Sequence, residues 1–183
     1  MKAAVVGSGA WGTALAIQLC KNGHDVIMWT FEKDLVAQMQ QEHHNPRLPN
    51  AVLPEGLKIS ADYACIRGCK LVVMASPSFP ARSVAEAAAP YIDEDAVVVS
   101  VTKGLEAGTH KRMSQVVAEA TGREVVVLTG PSHAEEVALG IPPAVWPPLA
   151  ISSLRSLSRM PLCPIPSGCI PAPILSALSW AQP

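Results

Sequence analysis

Apolar residues in this chain gather into short, nearly continuous runs at 3–6, 26–29, 71–75, 96–101 and 125–128, each followed by a Gly, Ser or Thr within two residues. Runs of that length and density predict strands of a parallel sheet buried on both faces. The stretches between them have helical character. Residues 13–21 carry Ala14, Leu15, Ala16, Ile17, Leu19 and Cys20, with Gln18 the one polar interruption. This predicts a helix packed closely on the sheet, closed by Asn22-Gly23-His24 with the glycine just past its end. A polar helix follows over 34–42, then a loop rich in Asn and Pro over 43–54 and a short helical segment near 63–68. An Ala-rich helix over 81–89 stops at Pro90, and a helix over 109–121 stops at Gly122. Strands alternating with helices in this way predict an α/β fold with a doubly wound parallel sheet.

The pattern breaks after Val145. From Pro142 to Pro183 there are ten prolines, the only charges are Arg155 and Arg159, and no acidic residue follows Glu136. Prolines at that density interrupt helix registers and remove strand donors. The segment is nevertheless apolar, with Trp146, Leu149, Ile151 and Trp180. The expected organisation is one folded domain over 1–145 and an irregular or disordered tail over 146–183.

Composition narrows the function classes. At 183 residues the chain suits a single domain with a real core. A net charge of −1 and a pI near 6.5 give no bulk electrostatic case for nucleic acid or an anionic membrane. Cys20, Cys65, Cys69, Cys163 and Cys169 are odd in number and lack zinc-ribbon or C-x-x-C spacing, so free thiols of a reducing compartment are expected, and no metal. There is no secretory leader pattern at Met1 and no apolar stretch of about 18 residues, which predicts a cytoplasmic protein without a membrane span.

The strongest motif is Gly7-Ser8-Gly9-Ala10-Trp11-Gly12, directly after the first strand and opening the first helix. Gly7 permits the tight turn, Gly9 allows backbone to approach a pyrophosphate, and Gly12 allows the helix to pack on the sheet. Backbone N–H groups and the positive helix end would then face the phosphates. This is the dinucleotide-binding (Rossmann) arrangement. An acid on the ribose is expected about 20 residues further on; Glu32 stands there, and its carboxylate would accept from ribose hydroxyls and repel a 2′-phosphate. Phe31 is placed to stack on adenine. Lys33 is a nearby cation that would instead favour NADP. The balance leans to NAD, with NADP open.

The run from Gly7 to Ala16, with its Trp11-Gly12-Thr13-Ala14 core, resembles the opening of NAD(P)-dependent glycerol-3-phosphate dehydrogenases. Further matching motifs follow in order: Asn45-Pro46-Arg47 with Leu48-Pro49, Pro77-Ser78, Ser100-Val101-Thr102-Lys103-Gly104, and Gly130-Pro131-Ser132-His133-Ala134-Glu135-Glu136-Val137. The resemblance covers about residues 1–145. It implies reversible hydride transfer between dihydroxyacetone phosphate and sn-glycerol 3-phosphate, which feeds glycerophospholipid synthesis, in proteins that are often homodimers. It implies cofactor contacts from Ala10 and Trp11 with the glycines, and from Phe31, Lys103 and Ala134. It implies substrate contacts from Lys103, Gly130 and Ser132. Lys103 also follows a strand at its carboxyl end, where open parallel sheets hold ligands and where an ammonium could attract a phosphate or stabilise a developing alkoxide. Ser132 and Glu135 have the spacing of a capping box for a following helix, and His133 reads as packed or solvated rather than catalytic.

The chain departs from the family in two places. An aromatic usual between Arg47 and Leu48 is missing, a change a loop tolerates. Residues 146–183 stand where the family continues into a helical domain bearing the general-base lysine, so no catalytic base is assigned here. Codons for 167–181 can encode a family-like peptide in another frame, which suggests a frameshift near Val145 and truncation. Three functions follow: a dehydrogenase by descent with little turnover in this chain, a nucleotide-binding module without catalysis, or another Rossmann dehydrogenase.

Overall fold

The structure, a computed structural model, describes residues 1–128 and 133–140. Six strands form one sheet: β1 Lys2–Val6, β2 Asp25–Trp29, β3 Lys58–Ser60, β4 Leu71–Met74, β5 Val97–Ser100 and β6 Val125–Val127. All neighbours are parallel and the order is β3-β2-β1-β4-β5-β6. The helices are α1 Ala10–Lys21, α2 Lys33–Glu42, α3 Ala81–Ala88, α4 Met113–Thr121 and α5 Ala134–Leu139. The doubly wound reading of the sequence therefore holds. The order reverses between β1 and β4, so the loops after those strands diverge and open a crevice at the carboxyl edge of the sheet.

Strand alternation divides the core into two layers. Ala3 and Val5 face one side with Val26, Met28, Leu71 and Val73, under α1, α2 and α5. Ala4 and Val6 face the other with Val72, Met74 and Val98, under α3 and α4. Each layer is buried, as the continuous apolar runs require. α1 is buried from Gly12 to Leu19 because α5 covers the side that the sheet does not. Gln18, the polar interruption, is used by that packing: its amide donates to the Val137 carbonyl, and Lys21 Nζ donates to the Ala138 carbonyl at 2.8 Å, serving the carbonyl end of α5.

Several boundaries differ from the sequence pattern. α1 begins at Ala10, with Gly9 in the cap position, so the helix runs through Gly12. β3 was hidden, because three residues with one buried side chain carry no periodicity. The helix expected from 109 starts only at Met113. Residues 105–112 instead double back, with Leu105 bridged to Arg112, and with Gly108 and His110 at φ of 84° and 56°. The left-handed backbone there forbids a continuous helix. α5 has His133, not Ser132, in its cap position. Ser132 and the tail over 146–183, with the frameshift reading attached to it, lie outside the described residues.

Candidate nucleotide-binding site

The turn after β1 is built by close backbone contacts that exclude side chains. Gly7 has φ of 130°, and a Cβ on it would lie 2.6 Å from the Ala75 carbonyl oxygen of the neighbouring strand's loop. A Cβ on Gly12 would collide with the Gly7 carbonyl oxygen, so the helix reaches this close to the turn only because both positions are bare. Gly9 differs. A Cβ there meets no protein atom within 4 Å, so its bareness serves no packing and leaves room in front of the turn.

Polar side chains hold the turn from behind. Ser8 Oγ donates to Thr30 Oγ1 at 2.8 Å, joining the turn to the residue after β2. Asn45, fully buried, donates through Nδ2 to the Ser8 carbonyl (2.9 Å) and to Thr13 Oγ1 (2.7 Å), and accepts the Arg47 N–H at 3.0 Å. Asn45 thus fastens the 43–54 segment onto the turn.

A cavity of about 1020 Å³ opens in front of these residues. Gly7, Gly9, Ala10, Trp11 and Gly12 form its floor, with Phe31 and Arg47 toward the β2 side. Trp29 and Tyr63, stacked with ring centroids 4.2 Å apart, form an apolar wall. Burial raises the Tyr63 hydroxyl above its ordinary pKa of 10, so it stays protonated. Lys103, His133 and Ala134 line the far side. Thr102 Oγ1 donates to the Ser76 carbonyl at 2.8 Å, which ties the lysine's loop to the loop after β4.

No Asp or Glu is among the described lining residues, and the first turn of α1 has no acidic side chain. Two cations, bare amides and a helix N-terminus suit an extended anion with a flat aromatic end. The residues present therefore fit a dinucleotide.

The structure brings together Gly7, Gly9, Ala10, Trp11, Gly12, Phe31, Lys103 and Ala134 on one cavity. Glu32 is not on its wall; it stands in the cap position of α2 and pairs with the Arg47 guanidinium. Lys33 is exposed on α2 and also off the wall. Gly130 and Ser132 lie outside the described residues. Sequence reasoning passed over Asn45 and Arg47 as site residues. The available signal was the Asn45-Pro46-Arg47 motif itself, standing in a long polar loop where only a tertiary contact explains a buried Asn.

The N-terminal family profile described as "NAD-dependent glycerol-3-phosphate dehydrogenase N-terminus" matches residues 2–149. The chain is 39% identical over 145 residues to glycerol-3-phosphate dehydrogenase [NAD(P)+] of Thermoanaerobacter sp. (strain X514), covering 79% of this chain and 44% of that protein. It is 43% identical over 150 residues to the protein of that name from Syntrophomonas wolfei, again covering 79% and 44%. The crystal structure of glycerol-3-phosphate dehydrogenase from Coxiella burnetii superposes with a TM-score of 0.71 at 39% identity, over 77% of this chain and 44% of that one. The chain thus spans less than half the length of these relatives.

Proposed function

The chain belongs to the NAD-dependent glycerol-3-phosphate dehydrogenase family, and from that premise we propose that residues 1–145 hold the nicotinamide dinucleotide of a dehydrogenase acting on dihydroxyacetone phosphate and sn-glycerol 3-phosphate. The observation that carries this reading is the cavity ending on the Gly7–Gly12 turn, with no Asp or Glu among its described lining residues and open space in front of Gly9. Gly7, Gly9, Ala10, Trp11 and Gly12 would receive the pyrophosphate through backbone amides. Phe31 would cover the adenosine end, and Ala134 would approach from the far side. The cofactor, when bound, supplies or accepts a hydride at its nicotinamide ring. Lys103 would draw the substrate phosphate or steady a developing alkoxide, with Gly130 and Ser132 as substrate contacts. Glu32, off the cavity wall but paired with Arg47, would favour NAD over NADP at the ribose end.

A base on a second domain would complete the reaction, because hydride transfer needs substrate, cofactor and proton carrier in one geometry. Among residues 1–145 no side chain is assigned as that base. The expected behaviour is nucleotide binding with little turnover. A cytoplasmic setting and homodimer formation belong to the same reading.

The test is a fluorescence titration of the full chain with NADH and NADPH, run beside a steady-state assay with dihydroxyacetone phosphate. Saturable binding is the expected result. Folded protein that binds neither nucleotide overturns the proposal. Turnover in the same assay supports the dehydrogenase reading, and binding with no turnover supports a second one, a nucleotide-binding module whose role is not catalytic.

A further inference from the structure

The cavity meets the β2 end with a pair of opposite charges, and the cation is the one on its wall. Arg47 lines the cavity, Glu32 does not, and the two side chains are joined in an ion pair. Arg47 arrives from the 43–54 segment, and its own N–H is held by Asn45 Oδ1, so its backbone stays in place whatever its side chain does. Glu32 is held independently: its N–H donates to Thr30 Oγ1 at 3.3 Å, and Thr30 is bound to Ser8 of the glycine turn. The pair therefore bridges two anchored loops between the phosphate turn and the residues that follow β2. The side chains are 42% and 32% exposed, so the bridge is solvated and readily exchanged.

We propose that Arg47 reads the 2′ position of the adenosine ribose, with Glu32 as the counter-charge against which any ligand must compete. This rests on the nucleotide-binding function proposed above. When the ribose carries a free 2′-hydroxyl, Arg47 stays on Glu32, whose remaining oxygen accepts from the sugar. A 2′-phosphate offers more negative charge than a carboxylate and matches the planar guanidinium with two oxygens. It draws Arg47 off Glu32 and leaves Glu32 as a repelling neighbour. Selectivity between the two nucleotides is the difference between these effects. Lys33, the cation nearest in sequence, is off the wall as Glu32 is, and because it is not joined to Arg47 it takes no part.

The measurement is the ratio of Kd values for NADPH and NADH on the full 183-residue chain, with adenosine 2′-phosphate as a competing probe. Glu32→Gln removes the competitor and the repulsion, and shifts the ratio about tenfold toward NADPH. Arg47→Gln shifts it about tenfold toward NADH and abolishes competition by adenosine 2′-phosphate. Lys33→Gln leaves the ratio where it was. Thermal melts of all three variants overlay the wild type, since the side chains are solvated. An Arg47→Gln effect equal for both nucleotides would mean that the guanidinium serves the pyrophosphate, and would overturn the proposal, as would a shift from Lys33→Gln. Loss of binding to both nucleotides in the folded wild type would instead overturn the function it rests on.

Discussion

Two glycines of the turn look alike in the sequence and differ in what they do. Gly12 is bare because a carbonyl oxygen occupies the space a methyl would need; Gly9 is bare with nothing near it. Gly12→Ala is expected to destabilise the fold by about 2–3 kcal/mol, since the helix must move off the turn. Gly9→Ala has a helix-cap position with φ of −66°, which alanine adopts without strain. Its stability should change by less than about 1 kcal/mol, while affinity for NADH falls about tenfold because the methyl fills the phosphate's approach. Urea denaturation beside nucleotide titration separates the two; equal behaviour of the variants would undo the distinction. The motif announced all three glycines as one signature. It also gave each a separate duty; the atoms that enforce them were not legible, because Gly7 packs on Ala75 of β4's loop and Gly12 on the Gly7 carbonyl.

At the scale of elements, a charged clasp joins α3, the doubled-back 105–112 segment and α4. Arg82 of α3 donates to both oxygens of Glu106 at 2.6 and 2.9 Å, and to Glu119 of α4 at 3.2 Å, while Lys111 donates to Glu119 at 2.6 Å. Glu106 also accepts from Thr109. The Arg82 guanidinium, then Thr109, hold the Glu106 carboxyl well down, from 4.5 to about 2. A carboxyl depressed in the folded state stabilises above its unfolded pKa and loses that contribution as pH falls through the folded value. Stability carried by this group is therefore complete above pH 4.5 and drains away toward pH 2. Arg82→Gln is expected to lower the urea midpoint at neutral pH and to flatten the decline across that window. A variant whose acid profile parallels the wild type would remove the clasp from the account. Helix periodicity pointed to 109–121 as one element because Thr109 and Lys111 are compatible with a helix. The clasp and the left-handed His110 are tertiary features, and they set the real start at Met113.

Across the whole molecule, five of the six strands were legible as short, dense apolar runs, since burial on both faces leaves a continuous signal. The glycine turn and Lys103 were legible too, each standing at the end of such a run. Glu32 was read as a ribose acceptor, and the structure sets it off the cavity wall against Arg47. The Arg47–Glu32 bridge needs the 43–54 segment to fold back on the turn through Asn45, and no local pattern encodes that return. The cysteines report on the same global packing. Cys20, Cys65 and Cys69 are unbridged, with Cys20 against one layer of the core and Cys65 and Cys69 in the other. Burial first, and then Asp25, pushes the Cys20 thiol up to about 11; burial likewise takes Cys65 to about 11 and raises Cys69. Thiolate is therefore scarce at these sites at neutral pH. Alkylation of the native chain, followed by peptide mapping, should be slow at all three and accelerate together in urea as the domain opens. Rapid labelling of Cys20 alone in the native state would mean that α1 is less well covered than its packing implies.

The sheet order also sets a schedule for biosynthesis. β1 is the earliest strand to leave the ribosome, yet it belongs in the middle, between β2 and β4. β2 follows closely, but β4 ends only at Met74. At about 5–20 residues per second, seconds pass before that flank is made. During the wait β1 presents an unpaired edge on the side that β4 will occupy, open to mispairing until that strand arrives.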